Sequence, residues 1–221
     1  MLETVFILFL LCFYIGISAE NSEVKLYSIG NGTPKILVIS GVHGDEIAGV
    51  VLVKELLFSS LKNGTLYLIP EANFRAVDVK KRTPYYMDDL NRSFPGSDKN
   101  LTQRIAREIY DIIDEIQPNL IIDLHESPYK YDENKDPNLY IGNTVILAES
   151  TLEKFMDLVL EFELITILGG AKGSLNYEVS SRLKIPVLTI ETSKEEDLYN
   201  RVEKQRNIVK RTLEYFRMEL E

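Results

Sequence analysis

Three short apolar runs constrain this chain more than any other feature. Lys35-Ile36-Leu37-Val38-Ile39-Ser40 is nearly continuous, Leu120-Ile121-Ile122-Asp123-Leu124-His125 carries one acidic interruption, and Val187 to Glu191 ends on another acid. Such runs lack the alternation of a half-solvated strand and match strands buried on both faces, as in parallel sheets covered by helices. The segments around them alternate accordingly. Val24 to Ile29, Thr65 to Pro70, Leu139 to Ala148 and Leu164 to Leu168 read as further strands. Asp45 to Leu61, Ser150 to Phe162, Ser174 to Arg182 and the tail from Lys194 read as helices. Between Asn100, a candidate N-cap with Gln103 three residues on, and Ile116, the residues Leu101, Ile105, Ile109, Ile112, Ile113 and Ile116 form a stripe at helical spacing. Strand and helix in alternation predict an α/β fold.

With 221 residues, 45% apolar and 27% charged, the chain is long enough for one substantial domain and too apolar for a disordered one. A net charge of −9 argues against nucleic acid as a partner, because phosphate backbones require a basic face. A small anionic substrate stays compatible with a local basic pocket. The single cysteine, Cys12, excludes an internal disulfide and cysteine-rich zinc modules. Val5 to Ala19 is an uncharged apolar run of about the length of a secretory h-region, followed by a polar opening at Glu20. Residues 1–19 therefore read as a signal peptide or N-terminal anchor, with a buried helix as the remaining option, and 20–221 as one catalytic domain. Either of the first two places the protein outside the cytoplasm, secreted or on the cell surface, with membrane contact only through such an anchor.

Histidine chemistry must use His43, His125 or both, since the chain has no others. Both follow apolar strands, where open α/β sheets bind ligands outside the carboxyl ends. His43 and Glu46 lie three apart at the entry to a helix, so their side chains can point the same way. Together with a distant His125 they make a three-ligand set of the kind catalytic zinc sites use, with a fourth position for water. Spacing alone leaves open two unrelated loop histidines.

The motifs Gly41-Val42-His43-Gly44-Asp45-Glu46, Asn73-Phe74-Arg75-Ala76-Val77, Asp89-Leu90-Asn91-Arg92, Asp123-Leu124-His125 and the strand-end Ile190-Glu191, in this order, resemble the succinylglutamate desuccinylase/aspartoacylase family of the zinc carboxypeptidase superfamily. The resemblance runs from about Lys35 to Thr192. It implies a single three-layer α/β domain with a mixed, largely parallel central sheet. It also implies one zinc ion per chain on His43, Glu46 and His125, Glu191 as general base, and Arg75 as oxyanion partner. Asn91 and Arg92 would hold a substrate carboxylate, with Arg182 as a weaker second clamp, and Asp123 would orient a zinc histidine, His43 by preference. Tyr177 reads as a packing residue, and Lys80-Lys81-Arg82 as either a solvated loop or a lure for anions. Family members carry a further β-rich domain after the general-base strand, whereas only thirty residues follow Glu191 here, which implies a more open cleft. The expected activity is hydrolysis of an amide bond beside a carboxylate, on a small anionic N-acyl amino acid or a peptide. The alternatives are a secreted or surface zinc carboxypeptidase or amidase, and a catalytically silent module that binds zinc or an anion.

Overall fold

The apolar runs become the centre of one sheet in a computed structural model, which describes residues 22–221. The segment read as a signal or anchor lies outside the described residues. In chain order the strands are β1 (Tyr27–Asn31), β2 (Lys35–Ile39), β3 (Leu61–Lys62), β4 (Gly64–Ile69), β5 (Leu120–Ser127), β6 (Thr144–Leu147), β7 (Ile165–Leu168), β8 (Val187–Ser193) and β9 (Glu219–Leu220). The helices are α1 (Ile47–Leu56), α2 (Phe74–Val79), α3 (Leu101–Ile116), α4 (Glu149–Leu160), α5 (Leu175–Arg182) and α6 (Leu198–Tyr215). Seven strands form the main sheet in the order β1-β4-β2-β5-β8-β6-β7. The core strands β4, β2, β5 and β8 are mutually parallel, while β1 and β6 join antiparallel to β4 and β8. This is the mixed, largely parallel α/β sheet that the sequence implies.

Period-two geometry sends alternate residues of each central strand to opposite faces. Ile36 and Val38 of β2, with Ile122 and Leu124 of β5, pack against α1, α4 and α6. Leu37, Ile39 and Ile121 pack on the other face against the isoleucine stripe of α3 and Leu175 and Val179 of α5. Two apolar cores thus sandwich one sheet, as three layers require. The Asn100 side chain caps α3 by accepting from the Gln103 N–H, an interaction typically worth ~1 kcal/mol. The last helix buries Val202, Gln205, Val209 and Thr212 on one face.

The stretch Glu71–Lys99 holds α2 and a 3₁₀ turn at Leu90–Arg92. One boundary differs from the sequence reading. The strand expected from Leu139 begins only at Thr144, because residues 128–142 fold back on themselves through Tyr129–Leu139 and Tyr131–Gly142 backbone hydrogen bonds. Among the described residues no helix is long and apolar enough to cross a membrane.

Candidate metal centre and cleft

Parallel neighbours β2, β5 and β8 end at the same edge of the sheet, so their carboxyl ends and the turns beyond them converge there. Register pairs His125 with Glu191 directly across β5 and β8. His43 sits in the turn after β2, and Gly44 lets that turn press on α2: a side chain there would meet the Ala76 carbonyl at 1.9 Å. Glu46 occupies the N-cap position of α1. These placements bring His43, Glu46 and His125, all buried, into one group whose ligand atoms lie within 4.8 Å of one another. His43 Nδ1 is 2.7 Å from Glu46 Oε1, and His125 Nδ1 is 2.8 Å from Glu46 Oε2. Two imidazole nitrogens and a carboxylate aimed at one small volume suit a single divalent cation.

Each imidazole is backed by a further acid. His43 Nε2 faces Asp89 Oδ1 at 3.1 Å. Asp123 Oδ2 stands 3.1 Å from His125 Nε2 but outside hydrogen-bonding direction, since that nitrogen has no hydrogen-bond partner. Asp123 is therefore beside His125 rather than His43, the preferred expectation. The two side chains are two residues apart on one strand and share a face. Asp89 takes the place beside His43. It is held by the Asn91 N–H at 2.8 Å and by Arg82 Nη2 at 3.2 Å.

The arginines also sort differently from the sequence reading. Arg75 does not line the cleft: its guanidinium pairs with Glu23 at 3.0 Å and lies over the Phe74 ring. The arginine that reaches the site is Arg82, with Nη1 3.3 Å from Glu46 Oε1. The sequence offers only the basic run Lys80-Lys81-Arg82 as a signal. Asn91 and Arg92 line the cleft. Asn91 Oδ1 accepts the Leu175 N–H at 3.1 Å, and Arg92 donates to the Asn91 carbonyl at 2.8 Å. Arg182 is off the cleft, mostly exposed and tied to Glu178 at 2.6 Å. Glu178 in turn accepts the Gly173 N–H at 3.1 Å.

The electrostatics reflect burial set against charge. Burial opposes protonation of both imidazoles, yet Glu46 and Asp89 raise the pKa of His43, and Asp123 and Glu46 raise that of His125 further. Burial would lift Glu46, but the two imidazoles hold it well below the carboxylate range. Glu191 is pushed up to about 8, chiefly by burial and, against the pull of His125, by the Glu46 carboxylate. The cleft over these groups has a volume of about 620 Å³. Residues of the 128–141 loop and of the Ile167–Ala171 stretch contribute to its lining.

Residues 32–214 match the family model of the succinylglutamate desuccinylase/aspartoacylase catalytic domain, and the chain belongs to that family of hydrolases. No curated protein sequence matches it. Among solved structures it is similar to the apo form of the cell shape determinant Csd4 from Helicobacter pylori, with 17% identity and a TM-score of 0.75 over 90% of this chain and 56% of that one. The mDAP-bound form of Csd4, described as a D,L-carboxypeptidase, gives 20% identity and a TM-score of 0.71 over 85% and 52%. A succinylglutamate desuccinylase/aspartoacylase from Rhodobacter sphaeroides gives 18% and 0.70 over 88% and 59%. The chain thus spans little more than half the length of these proteins, and at such identities the likeness establishes the fold.

Proposed function

We propose that this chain is a zinc-dependent hydrolase of an amide bond adjacent to a carboxylate, acting first as a deacylase of N-acyl amino acids. The observation that carries the reading is the convergence of His43, Glu46 and His125 within 4.8 Å at the strand edge that also bears Glu191. A zinc ion held by these three residues would polarise the scissile carbonyl and acidify a water molecule. Glu191 takes the proton of the attacking water at its carboxylate and delivers it to the leaving amine nitrogen. A carboxylate buried at the edge of the site, across from His125, can both gain and lose a proton in one turnover. Arg82, fixed between Glu46 and Asp89, supplies positive charge for the developing oxyanion, the part expected of Arg75. Arg92 offers a planar fork to the substrate carboxylate, with Asn91 beside it.

A second reading, a carboxypeptidase on short peptides, draws support from a cleft of about 620 Å³ and from similar solved structures with a bound tripeptide or mDAP. Both readings use the same metal, base and clamp. Release of free amino acid from N-acyl amino acids, measured beside release of C-terminal residues from peptides, separates them. Cleavage of peptides alone would sink the deacylase reading. Retention of all three ligands and of Glu191 weighs against a silent binding module. Glu191→Gln should keep its metal content and lose turnover by ~10²–10⁴-fold, and unchanged turnover would remove Glu191 from the mechanism. N-terminal sequencing of the secreted or surface-bound product tests the extracellular placement.

A further inference from the structure

The last helix buries an apolar stripe that includes Val202, Ile208 and Val209, yet two of its polar side chains reach under the metal centre. Arg201 and Gln205 stand one turn apart on α6 and so point the same way. Gln205, fully buried, donates from Nε2 to the His125 carbonyl and to Thr192 Oγ1, each at 3.1 Å. Arg201 pairs with Glu126 Oε1, with the glutamate side chain 0% and the arginine 12% exposed. The other carboxylate oxygen of Glu126 accepts the Ala48 N–H at 3.0 Å in the first turn of α1. The backbone N–H of Glu126 donates to Glu46 Oε2 at 3.1 Å. We propose that Arg201 is a positioning residue for the metal centre, acting through Glu126 on the Glu46 carboxylate. The inference rests on the metal-dependent reading above.

The physical reason lies in the two surroundings of Glu126. Its carboxylate is on the face of β5 that packs against α1 and α6, but the residue also lines the cleft. A buried carboxylate holds its place only while it is paired and hydrogen-bonded. Without the guanidinium, Glu126 has an outlet toward the cleft. It would then release Ala48 and free the first turn of α1, at whose N-cap Glu46 stands. Groups that orient metal ligands typically contribute ~10–100-fold in metal affinity. Arg206 provides the control: it also ties α6 to α1, through Glu55, but on the outer surface.

The test is zinc affinity of the full chain, measured by competition with a chromophoric chelator. Arg201→Met leaves the Glu126 carboxylate without its partner and should bind zinc about 10–100-fold more weakly than the parent, with thermal melts checking that it folds. Arg201→Lys keeps the charge but not the fork and should lose less; it carries the measurement if Arg201→Met does not fold. The double variant Arg201→Met/Glu126→Gln, whose neutral amide can still accept the Ala48 N–H, should recover affinity relative to Arg201→Met, and Arg206→Met should stay at the parental value. Parental affinity in Arg201→Met, or in Arg201→Lys where only that variant folds, or an equal loss in Arg206→Met, overturns the proposal. A parent chain that binds no zinc is a different result: it overturns the metal-dependent reading and this inference with it.

Discussion

The guanidinium of Arg82 is fixed between Glu46 at 3.3 Å and Asp89 at 3.2 Å, whereas that of Arg75 is fixed on Glu23. The family motif singles out Arg75 and passes over Arg82, although both stand in the polar stretch after β4. What separates them is the direction in which α2 and the loop beyond it carry each side chain. Arg82→Met is expected to cut turnover by ~10²–10³-fold, as loss of an oxyanion partner does. Arg75→Met should leave turnover unchanged and cost at most ~1 kcal/mol, the usual worth of a partly exposed ion pair. Steady-state kinetics and denaturation of the two variants decide, and a larger turnover loss in Arg75→Met would return the oxyanion role to that residue. Asp89 is equally illegible in the sequence. It belongs to the motif that carries Asn91 and Arg92, but only the folded turn, which aims its Oδ1 at His43, gives it a task.

At the scale of elements, the proposed carboxylate clamp of Asn91 and Arg92 depends on a contact between two loops that are remote in sequence. Asn91 accepts the Leu175 N–H, and the Phe94 N–H donates to the Gly173 carbonyl at 3.0 Å. Gly173 has φ +82, and a side chain there would meet the Arg92 carbonyl at 2.6 Å, so only glycine permits the approach without strain. Gly173→Ala should push the Arg92 turn away from α5. Its expected signature is a KM raised several-fold with kcat little changed, since the clamp binds ground state and transition state alike. An unchanged KM would show that the clamp does not depend on this contact. Helices and central strands are legible because periodicity reports burial directly, as in the isoleucine stripe of α3 and the runs of β2 and β5. The 128–142 loop is not, because its ordering rests on backbone pairing and on the stacked Tyr129 and Tyr140 rings, 4.5 Å apart, which leave no periodic trace.

Across the whole molecule, the buried group of His43, Glu46, His125 and Glu191 couples stability to pH. His43, His125 and Glu191 have raised pKa values in the folded state, so the folded chain holds protons that the unfolded chain releases. Their stabilisation is complete below the ordinary values of 6.5 for histidine and 4.5 for glutamate, and is lost as pH rises through the folded values, about 8 for Glu191. Glu46 and Asp89 are shifted down, so their contribution is present above the carboxylate range and lost as pH falls through their folded values. The metal-free protein should therefore melt at progressively lower temperature as pH rises from neutral through about 8. Added zinc should reverse the loss, because binding displaces protons from the imidazoles and stabilises only the folded state. Thermal melts of chelator-treated protein, with and without zinc, check both parts. A midpoint that climbs over that range would contradict the first.

The sequence by itself determined the alternation of elements and the two-sided burial of β2, β5 and β8, and it marked His43, Glu46 and His125 as a candidate ligand set, because hydrophobic period and strand-end chemistry are local properties of a chain. The family motifs added Glu191, Asn91 and Arg92 as candidates. Only the tertiary structure decided which acid backs which histidine, which arginine reaches Glu46, and that α6 packs beneath the His43–Glu46–His125 group. Those outcomes depend on contacts between residues 46 and 75 positions apart, Asp89 with His43 and Arg201 with Glu126. Their direction is set by how strands and helices pack, and no local pattern records it.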